Sequence, residues 1–400
     1  MVWQVVPLDS VAQVGAGNAA PQDPRLFADG IVPFIRTSDV GRIRFGTIAA
    51  AEDWLNADGA TGLRRWPAGT ILFPKSGAST FLNHRVMTEV EACVASHLAT
   101  IVPKADRVEP RFLLHFLGTV DAKALTQDQG YPSLRLPEIG AIPVPLPPLA
   151  EQQRIAAILD EAFEGIASAN ANAERNIANA KELFVGQLNR LFAEIASRAP
   201  AIPLAQLGAI QTGSTPKSSE TGMKGTAVPF IKPGDFRPDG SLDYDNEGLS
   251  ERGLAAARTV PAGSALMVCI GATIGKAGYA ERTVTTNQQI NTITPQPGIS
   301  GKFLHYQMKT ERFQQAVMSS SAQATLPIIN KSKWSALTIA LPASLDEQEA
   351  VVADLEALWT ATDELVGKQR AKLAALAELR VSLLNHAFSG QLTRTPAIAA

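Results

Sequence analysis

The sequence predicts an α+β chain of two pseudo-symmetric modules, each followed by a long coiled-coil-like helix, with the two helices separating the modules and packed antiparallel. Three observations carry that prediction. VPFIRTSD (Val32 to Asp39) returns 196 residues later as VPFIKPGD (Val228 to Asp235). LAEQQRIAAIL (Leu149 to Leu159) returns at the same spacing as LDEQEAVVADL (Leu345 to Leu355). Both copies of this second string open a proline-free stretch with apolar or small residues every three or four positions. Solenoid units run roughly 20–50 residues, so a period this long marks repeated whole domains. The predicted boundaries are 1–146 and 201–341 for the modules, 147–200 and 342–400 for the helical regions.

Within the modules, Val6 to Val40 aligns with Ile202 to Phe236 without a gap. PAGTILF (Pro67 to Phe73) then matches PAGSALM (Pro261 to Met267), RFLLHFL (Arg111 to Leu117) matches KFLHYQM (Lys302 to Met308), and YPSLR (Tyr131 to Arg135) matches LPIIN (Leu326 to Asn330). TILF, SALMVCI and LATIV read as strands, bounded by Gly, Pro, Asp and Asn. The segments around Phe112 to Leu117 and Phe303 to Gln307 read as helix. IPVPLPPL (Ile142 to Leu149) closes the first module, and the helix after it runs from Glu151 to about Ile195. Its seam is Leu159, Ala162, Ile166, Ala169, Ala173, Ile177, Ala180, Phe184, Leu188 and Leu191. The second helix runs from Glu347 to about Phe388 with a seam at Leu355, Leu358, Thr362, Leu365, Gln369, Leu373, Leu376, Leu379, Leu383 and Ala387. At about 1.5 Å per residue each could reach some 60 Å. Two equivalent units related by a two-fold must run their helices in opposite senses, hence the antiparallel expectation.

The bulk numbers exclude several classes. No apolar run approaches the roughly 20 residues that span a bilayer, and MVWQVVPLDS lacks the basic and apolar regions of a signal peptide. Cys93 and Cys269, the two cysteines of 400 residues, form no disulfide framework, which fits a reducing cytosol. The five histidines are scattered and suggest no metal site. Net charge is −2, but it is unevenly spread. Residues 203–341 carry 13 basic against 9 acidic side chains, whereas 1–146 carry 13 against 14. Local basic patches, rather than the total, decide phosphate binding. A doubled module suits a partner that is itself long and nearly two-fold symmetric, and DNA leads.

The Pro-rich turn, the LxEQ helix start, the long helix and a second copy ending in LLNHAFSGQL (Leu383 to Leu392) resemble the specificity subunit of type I restriction–modification systems. GSTP (Gly213 to Pro216), PFIKPGD, GATIGK (Gly271 to Lys276) and TTNQ (Thr285 to Gln288) fall where that family carries similar strings. The first module departs from them, with GNAAP (Gly17 to Pro21), SGAST (Ser76 to Thr80) and VASH (Val94 to His97). The resemblance covers essentially the whole chain. It implies two target recognition domains, each reading half of a split site in double-stranded DNA, with the helices as a ruler for the unread spacer. It also implies two methyltransferase subunits carrying S-adenosylmethionine and, in the full complex, two restriction–translocase subunits. The chain itself would bind no cofactor.

Bidentate recognition of base edges needs side chains such as Arg, Lys, Asn and Gln. The candidates are Arg36, Asp39, Lys75, Arg85 and Arg135 in the first module, and Lys232, Asp235, Lys276, Asn287, Gln288, Asn330 and Lys331 in the second. An Asp after a strand more often stabilises a turn, so Asp39 and Asp235 have a structural reading beside the functional one. GATIGK has three residues between its glycines and Ala277 after Lys276, which does not fit a P-loop; it reads as a glycine turn whose amides and Lys276 could meet a DNA phosphate. The pairs Glu151–Gln152 and Glu347–Gln348 open the helices, where negative charge is favourable; the resemblance places them near the methyltransferase contact. No Asn-Pro-Pro-aromatic string of an amino-methyltransferase and no nuclease cluster occurs, so the chain is expected to be non-catalytic. The competing expectation is a helical scaffold that reads no DNA sequence.

Overall fold

A computed structural model describes residues 3–126, 132–216, 221–321 and 326–393. Tyr131, part of one repeat anchor, lies outside them. Four helices carry the packing of the modules: α1 (Pro110–Leu117), α2 (Leu149–Arg198), α3 (Gly301–Met308) and α4 (Leu345–Phe388). The chain forms two compact units, Met1–Asn172 with Ala371–Ala400, and Ala173–Arg370. Contacts therefore divide both long helices, α2 and α4, between the units, a division that sequence order does not reveal.

In the first unit a five-stranded sheet runs in the order Ala12–Ala16, Leu98–Pro103, Ile71–Pro74, Arg85–Thr88, Phe45–Ile48. A four-stranded sheet runs Asp53–Leu55, Val32–Ile35, Ala92–Val94, Arg65–Trp66, and its central pair is parallel. The second unit repeats the plan. One sheet runs Gly208–Thr212, Ile290–Pro295, Ala265–Val268, Ala277–Tyr279; the other runs Gly248–Leu249, Lys224–Ile231, Val284–Thr286, Thr259–Val260, again with a parallel central pair. The repeated VPFI strings thus sit centrally in equivalent sheets. Their inward residues, Phe34 and Ile35 or Phe230 and Ile231, are buried, as alternating β-branched and aromatic side chains on a two-sided strand should be. Among the described residues, the strand Phe45–Ile48 has no counterpart in the sheets of the second unit.

In each unit the short module helix packs against the long ones. Phe112, Leu113 and Leu117 of α1 share a core with Ile71, Phe73 and Ile101 of the sheet, Ile155 and Leu159 of α2, and Ala387 of α4. Phe303, Leu304 and Met308 of α3 share one with Met267 and Ile293, Phe184 and Phe192 of α2, and Leu355 of α4. Edge-to-face rings recur at matching places, Phe112 with Phe388 at 5.4 Å and Phe303 with Phe192 at 5.1 Å. The helix segments run antiparallel inside each unit. In the first, Glu151 accepts from the Thr393 hydroxyl while Arg380 stacks over Phe163. In the second, Arg198 pairs with Glu347 while Phe184 meets Trp359.

The helix ends obey local chemistry. Pro148 accepts from the backbone N–H groups of Glu151 and Gln152 at 2.8 and 3.0 Å, and Pro200 lies just beyond Arg198, where its missing N–H and fixed φ stop the helix. At the end of α4, Gly390 takes φ +73° and the N–H groups of Gln391 and Leu392 donate to the His386 carbonyl, a left-handed cap that favours glycine. Every predicted seam position of α2 is buried or half-buried. In α4 the seam drifts: Leu365 and Leu379 are exposed, and Val366 and Arg380 occupy the inward side. A strict 3.5-residue repeat moves about 20° per heptad against a straight 3.6-residue helix, so a seam drawn at gaps of three and four need not stay on the inward face along the whole helix.

Candidate nucleic-acid interface

In the second unit GSTP, TTNQ and GATIGK meet at one edge together with the repeat anchor LPIIN. The Gly213 N–H donates to the Ile290 carbonyl and the Ser214 N–H to the Thr286 carbonyl at 3.0 and 2.8 Å, laying GSTP beside TTNQ. Thr215 and Gln288 then bond through their side chains. Gln289 donates to the Ile270 carbonyl at 3.3 Å, and the Gly271 N–H to Pro327 at 3.0 Å, which ties in GATIGK and LPIIN. Gly213 is required there, because a Cβ would lie 2.1 Å from the Asn287 carbonyl oxygen.

The first unit assembles its divergent strings by the same bonds. The N–H groups of Gly17 and Asn18 donate to Leu98 and Val94, joining GNAAP to VASH. The Lys75 N–H donates to the His97 carbonyl, Ser76 bonds the His97 ring at 2.7 Å, and the Gly77 N–H donates to Pro132. A fixed backbone frame thus carries different side chains in the two copies.

The candidate readers divide into three groups. Lys276, Gln288, Asn330, Lys331 and Arg135 are exposed on these loops. Asn330 also accepts from the Lys333 N–H as a helix cap, and the Arg135 N–H is held by Glu138. Arg36, Lys75 and Lys232 are half-buried. Arg36 pairs with Asp53 and lies 5.2 Å from the Phe34 ring centre; Lys232 pairs with Glu247 and lies 5.5 Å from that of Phe230. The Lys232 hydrogen bond holds the Glu247 carboxyl below the usual carboxylate range. Asp39, Arg85, Asp235 and Asn287 are buried. Asp39 and Asp235 accept from the N–H groups of Arg36 and Lys232 at 2.8 and 2.7 Å, so both carboxylates serve the turn after the repeated strand. Asn287 bonds Gln289 through both of its amide atoms. The Arg85 guanidinium lies 3.4 Å from the Phe73 ring centre and donates to the carbonyls of His84 and Val120; burial pushes its pKa down to about 9.

Two exposed arginines escaped the sequence reading. The backbone N–H of Arg64 donates to the Asn18 side chain, and that of Arg258 to the Ser214 hydroxyl. Both therefore stand beside the GNAAP and GSTP loops. The signal was present: each arginine lies three residues before a PAG string.

The GATIGK loop is a glycine turn between two paired strands. Gly271 and Gly275 have φ of +103° and +88°. The N–H groups of Gly271, Ile274, Gly275 and Lys276 all donate to protein carbonyls, so these four amides are committed internally, and the Lys276 side chain is exposed beside them. The helix-opening pairs also split. Gln152 is fully buried: it accepts from the Glu109 N–H at 2.8 Å and donates to the carbonyls of Pro147 and Arg107. Gln348 repeats this with Ser300, Pro342 and Gly298. Glu151 and Glu347 stay half-buried. Among the described residues no group of three or more His, Cys, Asp or Glu could hold a metal ion, and no helix is long and apolar enough to cross a membrane.

This doubled architecture has known relatives. The type I restriction modification DNA specificity domain matches twice, over residues 2–176 and 201–375. The chain is 33% identical over 144 residues to the type I restriction enzyme HindI specificity subunit of Haemophilus influenzae, an alignment covering 35% of this chain and 31% of that one. It is 25% identical over 189 residues to the MjaIX specificity subunit of Methanocaldococcus jannaschii, covering 46% and 42%. The chain thus spans less than half the length of these two relatives. Against the EcoBI specificity subunit of Escherichia coli it is 23% identical, covering 98% of this chain and 86% of that one. In fold it resembles a chain from a type I R-M system solved for complex assembly and conformational transition, with TM-score 0.78, 20% identity and 98% of both chains covered. It also resembles the HsdS subunit of Thermoanaerobacter tengcongensis, with TM-score 0.62, 19% identity and 98% and 97% covered. With two matches to the family model spread over most of its length, the chain belongs to the type I restriction–modification DNA specificity family.

Proposed function

We propose that this chain reads a bipartite site in double-stranded DNA for a type I restriction–modification complex, one half-site per module. Two methyltransferase subunits, carrying S-adenosylmethionine and acting on adenine, dock on it, and two restriction–translocase subunits join the full complex. It works in the cytoplasm, in host defence, and binds no cofactor for the methyl transfer itself. The observation that supports this most is the repeated loop edge, where an equivalent hydrogen-bonded frame presents Lys276, Gln288, Lys331 and Arg258 in one copy and Lys75, Arg135 and Arg64 in the other. Different words read through one frame require this pattern of fixed backbone and varied side chains.

Gel-shift selection from random bipartite DNA, using the chain with its methyltransferase partner, tests the reading. A two-part consensus is expected, and replacing residues 1–146 with another module should change one half only. Binding with no sequence preference would favour the scaffold alternative. Removing seven residues from one helix, about two turns or roughly 10 Å, should shorten the preferred spacer; an unchanged spacer would refute the helices as its ruler.

A further inference from the structure

The second unit holds a cleft of about 540 Å³ formed by α2, α4 and the turn at Arg237 to Asp239. Its floor is apolar, with Phe184 and Trp359 edge-to-face at 5.0 Å. Four cations line it, Lys181, Arg237, Lys309 and Arg370, against two acids, Asp239 and Asp363. Arg237 is paired with Asp243 at 3.3 Å. Among the described residues, Lys181, Lys309 and Arg370 have no carboxylate within 4.0 Å. Lys309 is the least solvated of them. Its ammonium donates to the Asp239 carbonyl at 2.6 Å and lies 5.7 Å from the Trp359 ring centre; burial pushes its pKa down to about 8. The Asp239 carboxylate is already taken by the Ser241 N–H and hydroxyl.

The duplication shows that the fold does not need these charges. By the repeat, Trp359 corresponds to Phe163, Lys309 to Gly118, Lys181 to Ala377 and Asp363 to Ala167. In the first unit the equivalent place is filled. Phe45 packs against Phe163 at 6.4 Å and covers Gly118, and Arg380 stacks over both rings at 4.9 and 4.8 Å. Phe45 comes from the strand that has no counterpart among the described residues of the second unit. One copy therefore plugs the niche with an aromatic ring, while the other leaves it open and lines it with Lys181, Lys309 and Arg370.

We infer that this cleft binds a nucleoside phosphate, the phosphates held by Lys309 and Arg370 and the base set against Trp359. The volume lies within the range of small-molecule sites, which pair an apolar floor with a few placed polar groups. An aromatic floor accepts any planar base, and cations without carboxylate partners favour phosphate over a neutral ligand. Such a site is independent of which DNA sequence the modules read.

Calorimetric titration of the full chain with ADP, pyrophosphate and adenosine tests it. Saturable ADP binding is expected, with pyrophosphate weaker by about tenfold or more and adenosine weaker still. Lys309→Met and Arg370→Ala should each weaken ADP about tenfold, the worth of one charge-assisted hydrogen bond. Arg370 is exposed, so its variant keeps the test valid if Lys309→Met misfolds. No saturable binding, or ADP affinity unchanged in Arg370→Ala and in any folded Lys309→Met, would overturn the site. Pyrophosphate matching ADP would overturn the role of Trp359. Displacement of ADP by duplex DNA, with duplex binding weakened by the same variants, would assign the cations to DNA instead.

Discussion

Replacing Gln348 by leucine removes three hydrogen bonds while nearly preserving volume. Gln348 is 1% exposed, accepts from the Ser300 N–H at 2.9 Å and donates to the carbonyls of Pro342 and Gly298 at 3.2 and 3.4 Å. Gly298 is exposed, so water replaces its lost donor, whereas Pro342 is buried and its carbonyl is left unpaired. One orphaned buried carbonyl costs about 1–3 kcal/mol and the lost bond to a half-buried N–H about 1 kcal/mol. The added apolar burial returns roughly 1 kcal/mol. The net loss is about 2 kcal/mol, a fall of some 4–8 °C in Tm for a unit of this size. Gln152 makes the equivalent three bonds, with Arg107 as the exposed acceptor and Pro147 as the buried one, so Gln152→Leu should lose a similar amount. Urea unfolding followed by circular dichroism measures both, with the slope m unchanged if only stability moves. A loss under about 0.5 kcal/mol in either variant would refute the view that these glutamines fasten the modules to their helices.

Asp235→Asn should cost about 1 kcal/mol of stability through the weakened turn cap and leave DNA affinity unchanged; a specific loss of affinity in a stable variant would return Asp235 to the reading surface. Arg258→Ala should leave stability intact and reduce the magnitude of the salt dependence of DNA binding by about 0.9 in log–log slope, with Arg64→Ala doing the same from the first module; unchanged slopes would remove both from the interface. Burial, first, and the Lys309 charge push the His305 pKa down to about 3 from 6.5. The unfolded chain then binds the extra proton below pH 6.5, so stability is fully present above that pH and falls as pH drops toward 3, by about 2 kcal/mol at pH 5. His305→Leu, which installs the residue found at the equivalent Leu114, should flatten this limb in acid titrations of stability; an unaltered limb would place the titration elsewhere.

Much of the architecture was legible because it is written in local pattern. The 196-residue echo, the strand strings TILF and LATIV, and the proline-free helical stretches depend on period and punctuation that any window of the sequence displays. The chemistry of single polar residues was not legible. Asp39, Asp235, Asn287 and Arg85 have the same side-chain types as base readers, yet they are consumed by a turn, a neighbouring glutamine or a ring face. Arg64 and Arg258, spaced identically from PAG, become candidates only once the loops beside them are known.

The two modules, their helices and their kinship follow from local pattern alone. Long-range packing sets which polar groups are spent inside and which remain for a ligand, how the long helices divide between units, and why one niche is plugged by Phe45 while its twin stays open. Periodicity is set by the backbone over a few residues, whereas desolvation and hydrogen-bond capture depend on groups brought together from distant positions in the chain.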